Sequence, residues 1–563
     1  MKRITIISLL ILLGGRLLFA GSLSERVYLS TDRQVYVAGD RLWVSAFCLD
    51  VSETCRFSDF SSIAYLELHS SDGLVQTAKV ALVDGRGAAA IKLGADLPTG
   101  NYRLLAYTAQ SKNETGYDYC AGSRVISILN TSSSARVKDG VVPVSPEEYG
   151  DAHSALPASA GAVSIAAPAT AKAGAVIPLD ITNAGKAASV SVSVWYDDGI
   201  AGPRNITPSD FSSSLKPGMA FTDAVVPELE GEIIRGRVVG IAPSMAGVLA
   251  GKYAFISSPG DKSDVYSSPI AEDGTLTFFT NNIYGDKDVV CEIEGLDPDV
   301  PCHIELDSPF VDADPGEIEP LRICNVMRDR LEYRGTASAI ENAFASDTLY
   351  SLLPARYHVN FGNEEGIRYA LDDYTRFPTM SEVIVEFIPE LRARRNDDGG
   401  TDILVKLQDL YKATRYARGS TLVLLDGTPI FNQNRIMDYD PLLVESINIY
   451  PYVYYIGSRS FEGVVNMITY KRNLPSMEFD PNVRIVEYEG ASLPLAYTCT
   501  NLDSSYPDYR QVALWEPVVD LDAGSSTTLD CRIPAHPGRY VVTIEGFYED
   551  GKPVSCSSVI DVR

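Results

Sequence analysis

The 563-residue chain carries only nine cysteines and five histidines, and each scarcity removes a class of protein. Nine cysteines cannot scaffold a chain this long with disulfides, and an odd number cannot all pair within one molecule. No Cys-x2-Cys pair occurs and His69, His153, His303, His358 and His536 are scattered, so a zinc centre is not expected. The acidic run from Asp312 to Glu317 lacks the spacing of a calcium loop, and Pro315-Gly316 marks a boundary instead. Positive charge is also short: 48 Lys and Arg stand against 74 Asp and Glu, and a net charge of −26 repels a nucleic-acid backbone. A Gly-x-Ser-x-Gly elbow, a His-Glu-x-x-His motif and a Walker loop are all missing, so neither catalytic residues nor a cofactor are expected. Adjacent carboxylates such as Asp197-Asp198 and Asp372-Asp373 point to opposite faces if they lie on strands, which suits solvated turns better than acid/base pairs.

What the N-terminus does contain sets an expected compartment. Lys2 and Arg3 precede an apolar run from Ile4 to Leu13, and Leu18-Phe19-Ala20 is followed by Gly21 and Ser22, the pattern of a secretory signal over residues 1–20. Gly14, Gly15 and Arg16 interrupt the run too early for it to span a bilayer. The nearest cysteine is Cys48, which argues against a lipid anchor, and no later run has the ~20 apolar residues of a transmembrane helix. The expectation is an exported chain of roughly three to five domains, in the periplasm, at the outer membrane or on the cell surface. After export, Cys48 with Cys55 and Cys291 with Cys302 could each close a short loop; equally, all four could serve as small buried hydrophobes.

Period-2 runs rich in β-branched and aromatic residues dominate the rest. Arg41 to Phe47, Ala64 to Leu68 and Asn101 to Tyr107, punctuated by Gly39-Asp40, Asp72-Gly73 and Pro98-Thr99-Gly100, read as a β-sandwich over 21–132. A Ser/Ala/Pro-rich stretch at 133–160 reads as a linker. Val190, Val192 and Val194 alternate with serines in a second sandwich at 161–226, and a third β unit fills 227–317. Helical periodicity enters only after Ile318, at 321–331, 337–353 and 380–388, with a further helix-like stretch at 440–447, so 318–475 reads as α/β. Residues 476–563 return to β as a C-terminal immunoglobulin-like sandwich. The fold class is multidomain and mainly β, with several sandwiches and one small α/β domain.

Within that α/β domain, Asp426-Gly427 makes a tight turn after Thr421 to Leu425, and Gly457 and Gly463 fix further turns. Tyr450, Tyr452, Tyr454 and Tyr455 either pack its core or form a contact surface.

These residues carry two resemblances. The phrase from Tyr28 to Trp43, YLSTDRQVYVAGDRLW, with Leu97 to Leu104, resembles the macroglobulin-type modules that open large exported proteins of the Bacteroidota. The segments Leu424 to Ile430, Val444 to Tyr450 and Gly457 to Thr469 are similar to the plug domain of TonB-dependent outer-membrane receptors. That family implies a strand turn at Asp426-Gly427 and a plug-holding strand at Gly463 to Thr469. The chain is not expected to form the receptor barrel alone, because about 90 residues follow Lys471 and a barrel needs about 22 further strands. A protease-trap thioester is likewise missing: Cys120 precedes Ala121-Gly122 and Cys302 precedes His303-Ile304, neither of them the Cys-Gly-Glu-Gln it requires. Together the features point to a non-enzymatic envelope protein that binds another envelope or outer-membrane protein, or an extracellular peptide or glycan, as an accessory to outer-membrane transport or secretion. The competing expectation is a carbohydrate- or peptide-processing hydrolase whose site is assembled from dispersed loops.

Overall fold

The computed structural model describes residues 23–149, 155–216, 226–260, 264–281, 283–344, 350–353, 366–396, 399–408, 414–497 and 508–563. The expected signal at 1–20 lies outside them. The chain is multidomain and mainly β, and it divides into two compact units. One comprises residues 1–229, 310–355 and 491–563; the other comprises 230–309 and 356–490.

The first unit begins with a sandwich whose strands run in the order Glu25–Thr31, Arg41–Asp50, Arg86–Lys92, Gly73–Val83, Ile63–Ser70, Gly100–Tyr107, Arg124–Leu129 and Val35–Val37. Leu42, Val44 and Ala46 point into its core, as alternation requires. The opposite face of the same strand is also buried. Trp43 packs with Trp195, Trp515 and Val541, while Phe47 and Leu49 pack with Phe211 and Phe547. A second sandwich therefore lies against the first.

That second sandwich corrects the expected domain order. Val163–Ala166 and Val176–Asn183 form a sheet with Ser526–Arg532, and Ala188–Asp197 lies between Val512–Leu521 and Gly538–Tyr548. The segments read as two sandwiches, at 161–226 and 476–563, both supply strands to each sheet of one sandwich. Alternation in Ala188–Asp197 explains why local sequence could not show it: Val190, Val192 and Val194 enter the sandwich core, while Ser191 and Ser193 donate to Ser30 Oγ and the Asp32 carbonyl of the first sandwich. Arg124 pairs with Glu545 across the same junction, and Ser30 donates to Glu545 at 3.1 Å.

The expected linker is also structured. Val141–Pro143 pairs in parallel with Leu321–Ile323, and Ala160 bridges Ser555. The helix expected over 321–331 accordingly begins as a strand, because Leu321 and Ile323 have a backbone partner there, passes through a 3-10 turn at Asn325–Met327 and is α-helical from Arg328 to Phe344. Beyond it, Tyr350–Leu352 is a strand paired with Leu495–Tyr497 rather than the end of a helix, and residues 345–349 lie outside the described residues. The turn-rich stretch near Pro208 holds a short helix, Pro208–Ser214, closed by a Thr207/Asp210 capping box.

In the second unit, Asp264–Pro269, Tyr253–Ser258, Asp286–Ile293 and Arg484–Glu489 form one sheet, and Ile233–Val239 lies between Thr275–Phe279 and His303–Leu306 in another. The α/β part has a five-stranded mixed sheet, ordered Ile367–Ala370, Val444–Ile456, Arg459–Thr469, Leu422–Leu425 and Thr428–Pro429. Its first face packs on the helix Met380–Phe387, capped by Thr379, and on Ile403, Val405 and Ile436. Its second face packs on Phe255 and Val265 of the neighbouring sheet. The helix expected at 440–447 is a single 3-10 turn, Pro441–Leu443, and then strand, since Val444, Ile447 and Ile449 are β-branched and buried in the sheet.

Candidate functional site

The turn residues of the α/β part hold structure together. Asp426 (φ +48°) and Gly427 (φ +80°) form a two-residue hairpin turn with both residues left-handed. The fully buried Asp426 carboxylate accepts from Thr469 N at 2.7 Å, Thr469 Oγ1 at 2.7 Å and Leu474 N at 2.9 Å. Gly457 (φ +56°) opens the turn between the two longest strands of the sheet. Gly463 (φ +89°) leaves no room for a side chain, because a Cβ there would lie 2.6 Å from Val405 Cβ.

The four tyrosines divide. Tyr450 and Tyr454 belong to the apolar cluster around Phe255, Val265 and Phe461, so they are packing residues. Tyr452 and Tyr455 stand exposed beside exposed Val453, Tyr455 with 74% of its surface free. The bulge between Tyr450 and Val453 breaks the simple alternation and puts the two pairs in different surroundings.

The cysteines considered for pairing are free thiols. Cys48 is buried in the first sandwich core, Cys291 and Cys302 share one apolar cluster, and half-buried Cys55 approaches the Gly551 carbonyl. Burial pushes the Cys291 thiol up to about 12. Among the described residues no group of three or more His, Cys, Asp or Glu could hold a metal. No helix among them is long and apolar enough to cross a membrane.

The acidic pairs are engaged in structure. Asp198 accepts two hydrogen bonds from Arg334, at 2.6 and 2.9 Å, and Asp372 accepts from Arg376 at 2.8 Å and Tyr470 at 2.7 Å. His536 is ringed by Tyr196, Tyr333 and Tyr540 at centroid distances of 4.4, 5.4 and 5.6 Å, and burial lowers its pKa to about 4, which keeps it neutral.

A well-formed open feature lies within the first unit, and no sequence motif marks it. It is a groove of about 1,020 Å³ between the long helix Arg328–Phe344 and the segment 129–136. Both walls are fixed. On the helix, Arg330 donates to the Gly199 carbonyl at 2.7 Å, Arg334 to Asp198 and to the Val35 carbonyl at 2.8 Å, and Ser338 to Asp40 Oδ1 at 2.5 Å. These residues recur every four positions, so one polar stripe clamps the helix and the adjoining stripe, Leu331, Gly335, Ala339 and Ala343, faces the groove. On the opposite wall, Asn130 Nδ2 donates to the Ala95 and Leu97 carbonyls, and its Oδ1 accepts from Ser132 N and Ser133 N at 3.0 and 2.8 Å. The walls come close at Gly335: a Cβ there would lie 3.2 Å from Thr131 Oγ1. The floor is apolar, with Leu129 and Met327 almost fully buried. A preformed apolar trough with hydroxyl and amide groups along its rim can bind and orient a ligand; among the described residues it holds no nucleophile–base pair.

No protein-family model matches the sequence, and no curated protein does. Solved structures similar in part include trypsin-activated alpha-2-macroglobulin from Escherichia coli, at 8% identity and a TM-score of 0.24, covering 96% of this chain and 42% of that one. The adhesin InvE of Yersinia pseudotuberculosis shares 11% identity at a TM-score of 0.13, covering 51% of this chain and 60% of that one. Dimeric latent PorU from Porphyromonas gingivalis shares 7% at 0.15, covering 96% and 34%. The chain thus spans about two fifths of the length of the macroglobulin it matches, and at these TM-scores the likenesses carry no argument about function.

Proposed function

We propose that this chain is a non-enzymatic binding protein of the cell envelope, whose β modules present surfaces to a protein or peptide partner. The observation that carries the reading is the preformed groove beside the long helix, anchored by hydrogen bonds on both walls and, among the described residues, without a nucleophile–base pair. The exposed Tyr452 and Tyr455 offer a second contact surface of the aromatic kind that interfaces favour. Export rests on the N-terminal sequence alone, and a role beside an outer-membrane transport or secretion system rests on the plug-like and macroglobulin-like phrases. A hydrolase is disfavoured because Asp197, Asp198 and Asp372 are held in ion pairs and hydrogen bonds.

A photo-crosslinking side chain at exposed Ala339 in the groove, at Tyr455, and at exposed Lys186 as control tests the reading in intact cells. A discrete envelope-protein adduct is expected from Ala339 or Tyr455 and not from Lys186. Equal, diffuse labelling from all three positions would contradict it.

A further inference from the structure

The groove's chemistry narrows its occupant to one class of ligand, an assignment that deepens the binding reading and rests on it. From Arg328 to Ala343 the helical wall runs about 24 Å at 1.5 Å per residue, the span of roughly seven residues of extended chain. The floor is aliphatic, built on Leu129, Met327, Leu331 and Ile340. Among the described residues no Trp, Tyr or Phe lines it, and the described lining offers no flat platform on which sugar rings stack. Thr131, Ser134, Asn325 and Thr336 supply polar groups along both walls, which suit the amides of a peptide and would be left unpaired beside a lipid chain.

Charge supplies the last element. Arg136 and Arg328 line the groove from opposite walls, both are exposed, and among the described residues neither has a carboxylate within 4.0 Å. Among the described residues Glu332 is the one carboxylate in the lining. In a chain of net charge −26, an open groove whose described lining sets two guanidinium groups against one carboxylate is locally cationic. We propose that the groove takes an extended peptide of about seven residues that alternates aliphatic side chains with carboxylates. Its apolar side chains would settle on Leu129, Met327 and Ile340, and its carboxylates would meet Arg136 and Arg328.

Three fluorescein-labelled heptapeptides test this by anisotropy with the full chain: leucine alternating with aspartate, with serine and with lysine. At low salt the aspartate peptide is expected to bind about tenfold more tightly than the serine peptide, and the lysine peptide most weakly. The preference should shrink as salt rises. The double substitution Arg136→Glu and Arg328→Glu, both at exposed positions, should reverse the order, and Arg136→Gln with Arg328→Gln should level it. Ala339→Trp, which fills the groove from an exposed helix position, should abolish binding of all three while leaving the thermal transition unchanged. Equal, Trp-sensitive binding of aspartate and serine peptides would overturn the charge selection and leave the groove as a binding site. Binding that survives Ala339→Trp, or no binding of any probe, would overturn the peptide proposal, whereas the crosslinking experiment at Ala339 and Tyr455 decides the broader reading independently.

Discussion

Glu67 shows how one carboxylate orders a long segment. It is fully buried on the strand Ile63–Ser70, and its oxygens accept from the amides of Val311, Asp312 and Ala313 at 2.9, 3.0 and 2.9 Å. Tyr107 Oη donates at 2.5 Å, and His69 Nε2 lies 2.9 Å away and must donate to an ionised carboxylate. Burial alone would raise the pKa; the donors from His69, Tyr107, Ala313 and Val311 outweigh it and hold the group at about 2. A folded pKa below the usual value near 4.5 gives stability that is complete above pH 4.5 and is lost as pH falls toward about 2, a contribution of about 3 kcal/mol. Glu67→Gln should therefore lower unfolding free energy at pH 7 by about 2–3 kcal/mol in urea titrations and flatten its pH dependence between 4.5 and 2. An unchanged acid limb in the variant would contradict this role. The acidic run beyond Phe310, which in sequence could suggest a cation site, thus supplies amide donors to a carboxylate. Nothing local in either segment signals a contact across more than 240 positions, and such pairings are the part of the fold that sequence patterning cannot carry.

At the scale of single elements, legibility depended on whether the determinants were local. The hairpin at Asp426-Gly427 was readable because both residues must adopt positive φ, and glycine and aspartate are the residues that do so cheaply. Gly463 adds a steric demand, and Gly463→Ala should destabilise the second unit by about 2 kcal/mol or more, measured by its denaturation midpoint. The long helix was poorly readable for the opposite reason. Its buried stripe is Arg330, Arg334 and Ser338, and its groove stripe is mostly small, so the apolar periodicity that marks a helix is weak. The groove was invisible with it. Arg334 and Asp198 are both about 95% buried and form a bidentate pair. Removing one partner strands the other: Arg334→Met or Asp198→Val alone should each cost about 3–5 kcal/mol, and the double variant should recover much of that loss. A double-mutant cycle by chemical denaturation checks it, and strictly additive losses would show that the pair is not what holds the helix.

At the scale of the whole molecule, the second sandwich is built from two sequence segments separated by more than 300 residues, with the entire second unit encoded between them. Each segment alternates cleanly by itself, which is why each reads as a domain; the pairing that joins them is set by cross-strand packing rather than by local pattern. The consequence is a sharp dependence of one segment on the other. Among the described residues, twenty-one buried side chains form the core of this sandwich; thirteen lie from Ala513 onward, leaving eight on 163–194, too few to bury a core alone. A chain ended after Gly490 should keep the second unit and its thermal transition, since all of that unit's residues precede the cut. Residues 155–216 should lose protease protection, and Trp195, 6% exposed in the full chain, should shift its fluorescence to the red. Supplying 491–563 as a separate polypeptide should restore both, because the two long strands Ala188–Asp197 and Gly538–Tyr548 would pair again. Persistent protection of 155–216 in the shortened chain would mean that the segment folds by itself after all.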